Sequence, residues 1–302
     1  MSRGKPGDEL QEPASVLLEA LPYIRKFHGQ TMVIKLGGEV IEKKKTLDSL
    51  LQDVVLLHYV GMKPVLVHGG GPEITREMKK AGKEPEFVAG LRVTDKETIE
   101  ILHKYLVGKL NTEIVLGINK YGGRAVGISG VDGKIILAKK IREVTTPNGE
   151  KLHVDLGFVG EIERIDPHMV SFLLSNGYIP VLSPLGVDEE GRSLNLNADT
   201  VAAELAIVMG AKKLIVLTNV KGVLRDPKDE STLISQLTVE EAKTLLASGV
   251  VSGGMIPKLK ACIRAVEGGV ERAHILQGTM PHALLLELLT DKGAGTMIEK
   301  GK

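Results

Sequence analysis

Short apolar runs that end in glycine alternate along this chain with longer segments whose apolar residues recur at helical spacing. Met32, Val33, Ile34 and Leu36 make a nearly all-apolar run with Lys35 inside it, closed by Gly37–Gly38. After a helical stretch over 47–60, KPVLVHGGGPEI repeats the pattern: a strand over 64–67, then His68 and Gly69–Gly71, then a helix from Pro72. Further strands are predicted at 125–130, 178–188, 213–218 and 273–278, with a closing strand at 295–298. A long amphipathic helix follows a cap at Thr94 or Asp95, and shorter helices are predicted at 166–176, after Thr238 and over 282–290. Buried-type strands that end in glycine and lead into helices indicate an α/β fold with a mainly parallel central sheet. Ligands of such sheets gather at the carboxyl ends of the strands.

Two regions depart from that rhythm. Residues 134–165 alternate apolar and polar around Pro147–Asn148–Gly149, as antiparallel strands do around a turn. At the front, residues 1–13 are polar with Gly and Pro and read as a lead-in without fixed structure. Val16, Leu17, Ala20, Leu21, Ile24 and Phe27 then mark a helix over 14–28 that Pro22 is expected to kink. The order of elements divides the chain into an extension over 1–28, an N-terminal lobe over 29–210 and a C-terminal lobe over 211–302, on one continuous sheet.

The stretch SLNLNADTVAAELA (193–206) concentrates polar chemistry. Ser193, Asn195, Asn197 and Asp199 precede an apolar helix, more than a helix cap requires. In an extended segment Asn195, Asn197 and Asp199 all point one way, where two amides and a carboxylate can orient a polar ligand. The plainer alternative is a well-capped helix after a polar loop. Three glycine clusters, 37–38, 69–71 and 253–254, sit at strand or helix ends, where bare backbone N–H groups can converge on an anion. Lys35 lies in an apolar strand, where an ammonium is costly unless it meets an anion. Lys258 lies near a helix start, an awkward place for a cation unless an anion sits there too. Two lysines, glycine nests and one carboxylate fit phosphoryl transfer, in which positioning and charge neutralisation do most of the work. Neither GxxxxGK[ST] nor, after the first strand, GxGxxG occurs. His68 reads as a strand-end packing group rather than a base, and a carboxylate acceptor, ionised at neutral pH, needs no base.

Composition narrows the classes. A net charge of +1, no Trp, four Phe and five Tyr argue against a nucleic-acid partner. The single cysteine, Cys262, precludes an internal disulfide and a Cys-based zinc site, and sits among helix formers as a core side chain. No apolar run approaches membrane-spanning length and the first residues lack a signal core, so a cytoplasmic protein is expected.

Taken together and in order, VIKLGG (33–38), VLVHGGGPEI (65–74), GLRVTD (90–95), GGRAVGISG (122–130), LNLNAD (194–199) and GGMIPK (253–258) resemble the amino-acid kinase family, over about residues 14 to 300. Within it, they are similar to the branch that phosphorylates N-acetyl-L-glutamate. The resemblance implies an open three-layer αβα sandwich, with the acetylamino acid in the N-terminal lobe and ATP with its Mg²⁺ in the C-terminal lobe. It implies that Lys35 and Lys258 neutralise the transferring phosphoryl group and that Asp199 holds both lysines. Backbone N–H groups of Gly37, Gly38, Gly70 and Gly71 would cradle the γ-phosphoryl and the acceptor carboxylate, Arg92 would pair with the substrate α-carboxylate, and Asn195 would fix the acetylated end. No protein-held metal site is implied. Two positions depart from the family pattern: Asn219 stands where relatives carry Asp near the nucleotide, and Glu39–Val40 replaces a pair of small or amide-bearing residues.

The leading helix and the tail HALLLELLTDKGAGTMI resemble the arginine-inhibited members, in which interlaced N-terminal helices join dimers into a hexamer. That likeness implies an effector site for arginine near Tyr23, His282, Glu287, Gly293 and Gly295, and a homo-oligomer. A related kinase acting on acetylaminoadipate, or an amino-acid sensor without catalysis, remain the alternatives.

Overall fold

Five of the six residues of the first strand are buried, and a strand buried on both faces belongs in the middle of a sheet. The computed structural model, which describes residues 8–145, 151–291 and 293–301, places it there. In chain order the elements are α1 (Asp8–Phe27), β1 (Thr31–Leu36), α2 (Gly38–Glu42), α3 (Lys44–Tyr59), β2 (Lys63–His68), α4 (Gly71–Lys80), β3 (Phe87–Val88) and β4 (Leu91–Arg92). Next come α5 (Lys96–Leu102), a π-helical segment (His103–Asn111), α6 (Thr112–Lys120), β5 (Ala125–Ser129), β6 (Ile136–Lys140), β7 (Glu143–Thr145), β8 (Lys151–His153) and β9 (Gly160–Ile165). The chain goes on through α7 (His168–Ser175), β10 (Ile179–Ser183), β11 (Leu185–Val187), β12 (Ser193–Asn195), α8 (Ala198–Val208) and β13 (Lys213–Thr218). It ends with β14 (Gln236–Thr238), α9 (Val239–Ala247), α10 (Met255–Glu267), β15 (Arg272–Gln277), α11 (Ala283–Leu289) and β16 (Gly295–Glu299).

The main sheet runs β14-β16-β15-β13-β1-β2-β10-β5, and every neighbouring pair is parallel except β15–β16. Side chains of β1 alternate between two cores, as the two-residue repeat of a strand requires. Val33 joins Val201, Ala202 and Leu205 of α8 and Leu259 and Cys262 of α10, while Met32, Ile34 and Leu36 join α3, α6 and α11. The mainly parallel sheet between two helical layers is the expected fold. The alternating region forms the expected antiparallel pairs, β6 with β9 and β7 with β8. Its Pro147–Asn148–Gly149 turn lies outside the described residues.

Three local expectations are corrected. The helix α1 starts at Asp8, so residues 8–13 of the expected lead-in are helical. It also runs through Pro22 as one helix; the ring removes one N–H, and the carbonyl it deserts belongs to exposed Leu18, where water can serve it. The strand expected over 178–188 is two strands, because Pro184 has no N–H for the ladder and the chain changes sheets there. Asp95 rather than Thr94 caps α5, accepting from the Thr98 N–H at 2.9 Å. No helix among the described residues is long and apolar enough to cross a membrane.

Candidate active site

Lys35 owes its position to strand alternation. It shares the face of Val33, which α8 and α10 cover. The amide oxygen of Asn197 caps α8, accepting from the N–H groups of Asp199 at 2.9 Å and Thr200 at 3.0 Å. That cap puts Asp199 in the first helical turn rather than in an extended run with Asn195 and Asn197, and so above the end of β1. The Lys35 Nζ lies 2.8 Å from Asp199 Oδ1. The Lys258 Nζ, from the start of α10, lies 3.6 Å from Oδ2 and donates to the Gly254 carbonyl at 3.0 Å.

Burial pushes the Asp199 carboxyl up, but Lys35 and Lys258 outweigh it and hold the group below its ordinary range. Burial pulls the Lys258 ammonium down, with Asp199 working against it. One carboxylate between two ammoniums leaves an excess of positive charge in a half-enclosed place, a receptor for an anion.

The same cavity, of about 610 Å³, is lined by Lys35, Lys258, Asp199, Asn195, Arg92 and the glycines of both loops. Leu36 of β1 pairs with His68 of β2, so the glycines after the two strands lie side by side. A Cβ on Gly38 would stand 2.5 Å from Pro72 Cδ, a ring that cannot yield easily, and one on Gly70 the same distance from Leu106 Cδ2, so a side chain there would force Leu106 and Leu110 to move. The N–H groups of Gly38, Gly70 and Gly71 have no acceptor among the described residues. Gly37 differs from expectation: its N–H is donated to the Leu217 carbonyl at 3.1 Å, so it anchors the loop to β13 rather than offering a donor to the cavity.

Arg92 is a buried cation with no carboxylate partner among the described residues. Its Nη2 donates to the Gly71 carbonyl at 3.0 Å and to Thr75 Oγ1 at 2.8 Å, and its guanidinium lies 4.7 Å from the centre of the Phe87 ring. Asn195 donates to Thr94 Oγ1 at 3.1 Å, and that hydroxyl donates to the Arg92 carbonyl at 2.8 Å, which locks the two cavity-lining residues together. Phe87, Thr75 and Thr94 are supports that the sequence reading missed; the aromatic five places before Arg92, across a Gly90 turn, was the available signal. Glu39 and Asn219 both line the cavity. Cys262 is a buried core residue whose thiol burial pushes up, as its helical setting predicted.

The residues expected near an effector fall around α11. Tyr23 of α1 donates its hydroxyl to Asp291 just beyond α11. Glu287 accepts from the Ala294 N–H at 2.8 Å and lies 2.7 Å from His274 Nδ1, with Gly293 alongside. Beside Glu287, Lys213 packs over Phe27, and burial pulls its ammonium down to about 8. Lys213 and His274 were not anticipated, since both sit in strands that read as apolar. At the opposite end of α11, His282 holds Asp53 of α3 at 2.6 Å. Gly295 sits inside β16, where a Cβ would meet the Ile275 carbonyl at 2.1 Å.

A sequence model of the amino acid kinase family matches residues 30–277. The chain belongs to that family. Among amino acid kinases it is 54% identical over 289 residues to the acetylglutamate kinase of Methanothermobacter thermautotrophicus, a match covering 94% of this chain and 98% of that one. In three dimensions it resembles N-acetylglutamate synthase from Neisseria gonorrhoeae complexed with coenzyme A and N-acetyl-glutamate, at TM-score 0.84 and 30% identity, over 96% of this chain and 64% of the synthase. The same synthase complexed with coenzyme A and L-arginine matches at TM-score 0.80 and 29% identity, over 95% of this chain and 65% of that one. The chain thus spans less than two thirds of the synthase.

Proposed function

We propose that this chain transfers the γ-phosphoryl group of ATP to the side-chain carboxylate of N-acetyl-L-glutamate, giving ADP and N-acetyl-L-glutamyl 5-phosphate in arginine biosynthesis, in the cytoplasm. The observation that carries this reading is the Lys35–Asp199–Lys258 bridge inside a cavity that also holds an arginine with no carboxylate partner among the described residues. The acceptor carboxylate is already ionised at neutral pH, so the site has to neutralise charge rather than remove a proton. Lys35 and Lys258 flank the transferring group and Asp199 keeps their ammoniums apart and aimed. Gly38, Gly70 and Gly71 supply backbone donors. Arg92 takes the α-carboxylate with a guanidinium held in place by Phe87 and Thr75, and Asn195 takes the acetylamino end.

The nucleotide lies on the side of Lys258 and Asn219, in the C-terminal lobe (211–302), and the acetylamino acid on the side of Arg92 and Asn195, in the N-terminal lobe (29–210). Asp199 is engaged by two lysines and Glu39 is the other carboxylate lining the cavity, a donor set that suits Mg²⁺ arriving on the ATP phosphates. When bound, Mg²⁺ neutralises phosphate charge. Side-by-side turnover with N-acetyl-L-glutamate and N-acetyl-L-aminoadipate tests the acceptor; preference for the longer compound would replace this reading with the acetylaminoadipate one.

We further propose that arginine inhibits the enzyme by binding between α1 and α11. Glu287 and Asp291 offer carboxylates to a guanidinium and Lys213 a cation to a carboxylate, with Tyr23 alongside. Leu17, Leu18 and Leu21 are exposed on α1, an apolar stripe suited to a second copy of the helix in a hexamer of three dimers.

A further inference from the structure

We infer that Asn111, Ser183 and His68 are positioning residues for phosphoryl transfer, a buried relay that fixes the peptide between Gly69 and Gly70 so that the Gly70 N–H faces the cavity. The inference rests on the reading that the Gly69–Gly71 loop receives the phosphoryl and acceptor groups.

The direction of the relay follows from its fixed ends. His68 Nδ1 lies 3.0 Å from the Gly69 carbonyl, which only accepts, so Nδ1 carries the proton and Nε2 is bare. Nε2 lies 2.9 Å from Ser183 Oγ, so the hydroxyl donates to the ring. Asn111 Nδ2 stands 3.0 Å from Ser183 Oγ and 3.3 Å from His68 Nε2, so one amide hydrogen is turned to the hydroxyl and the bare ring nitrogen, and the other goes to the Val181 carbonyl at 2.8 Å. All three side chains are buried. Burial pulls the imidazole down to about 4, so it stays neutral and in one tautomer at physiological pH.

The carbonyl and the following N–H of a trans peptide point in opposite directions. Turning the Gly69 oxygen inward to His68 therefore turns the Gly70 N–H outward, to the cavity that Gly70 lines. That N–H has no acceptor among the described residues. Leu106 and Leu110, from the same π-helical segment that ends in Asn111, pack where a side chain on residue 70 would stand. The π-helical widening swings Asn111 into the sheet, and Gly127 makes room for it, since a Cβ there would lie 2.0 Å from Asn111 Oδ1. An apolar residue at 111 would continue the stripe of Leu106, Leu110 and Ile114; the amide is there for its donors.

Two substitutions separate positioning from packing. His68→Asn keeps a donor where Nδ1 stands and loses the Ser183 side. His68→Gln keeps an amide where Nε2 stands and loses the donor to Gly69. With Mg-ATP and N-acetyl-L-glutamate, His68→Gln should lower kcat by about tenfold or more while both KM values stay within about threefold, and His68→Asn, which keeps the donor to Gly69 without the Ser183 clamp, should fall between His68→Gln and the wild type, about threefold below the latter. Thermal midpoints should fall alike in both. Equal kcat in the two variants, or a loss confined to KM, overturns the inference. Should His68→Gln fail to fold, Ser183→Ala reads the same relay: kcat lower by about threefold or more at unchanged KM supports it, and unchanged kcat overturns it. Wild-type turnover is measured first. Its absence removes the functional reading and the inference with it, whereas normal wild-type turnover with matched variants removes the inference alone.

Discussion

The Lys35 ammonium sits 2.8 Å from the Asp199 carboxylate, and neither side chain is more than 7% exposed. The pair joins the end of the central strand to the first turn of α8, and Lys258 completes it from α10. Replacing Asp199 leaves one buried and one half-buried ammonium without their shared carboxylate. Asp199→Asn should lower kcat about 100-fold or more. It should also destabilise the fold by about 3–5 kcal/mol, the usual cost of breaking a buried pair. Steady-state kinetics together with urea unfolding checks both; near-normal kcat would remove Asp199 from the mechanism.

Arg92 is held by Thr75, the Gly71 carbonyl and the Phe87 ring before any ligand arrives. Arg92→Lys keeps the charge and loses the planar fork. The KM for the acetylamino acid should rise roughly 10- to 100-fold, the worth of a charge-assisted hydrogen bond, with kcat changed less. An unchanged KM would place the α-carboxylate elsewhere.

Two buried groups make stability depend on pH in opposite senses. His68 is held down at about 4, so its contribution is complete above its unfolded value near 6.5 and is lost as pH falls toward 4. Asp53 is pushed up to about 6, chiefly by burial, so its contribution is present in acid and is lost as pH rises from about 4 to 6. The two offset each other over that window. Asp53→Asn removes one side, and between pH 4.5 and 6.5 its stability should rise more than that of the wild type by about 2 kcal/mol. Urea midpoints at the two pH values test this, and parallel changes in both proteins would contradict it.

The arginine proposal turns on α1. Phe27 is buried beneath Lys213, so a truncation has to stop short of it. Deleting residues 1–22 should retain turnover, abolish inhibition by millimolar arginine and convert hexamers to dimers. Turnover assays and light scattering on the truncated protein decide; a truncated protein that is still inhibited, or still hexameric, sinks the idea.

Lys35 was legible because a charge inside an apolar strand is costly, and strand alternation alone tells which face it seeks. The glycine pairs were legible as places where backbone meets something closely. Which of their N–H groups face the cavity was not, because Gly37 spends its donor on Leu217, a residue brought beside it only by the sheet order. The His68 relay was invisible for a similar reason: Ser183 follows His68 by 115 residues, and Asn111 reaches them only through a π-helical turn. Pro22 misled because the cost of proline in a helix depends on whether the orphaned carbonyl is wet. Lys213 and His274 hid in strands that pattern alone reads as core.

The central claim is that this chain phosphorylates a carboxylate. An acyl phosphate reacts with hydroxylamine to give a hydroxamate, whereas phosphate released by hydrolysis does not. The decisive assay supplies Mg-ATP, N-acetyl-L-glutamate and hydroxylamine, and counts ADP and hydroxamate together in wild type and Lys258→Ala. The account predicts one hydroxamate per ADP in the wild type and a rate at least about 100-fold lower in the variant. ADP released without hydroxamate, or equal rates in the two proteins, would contradict it.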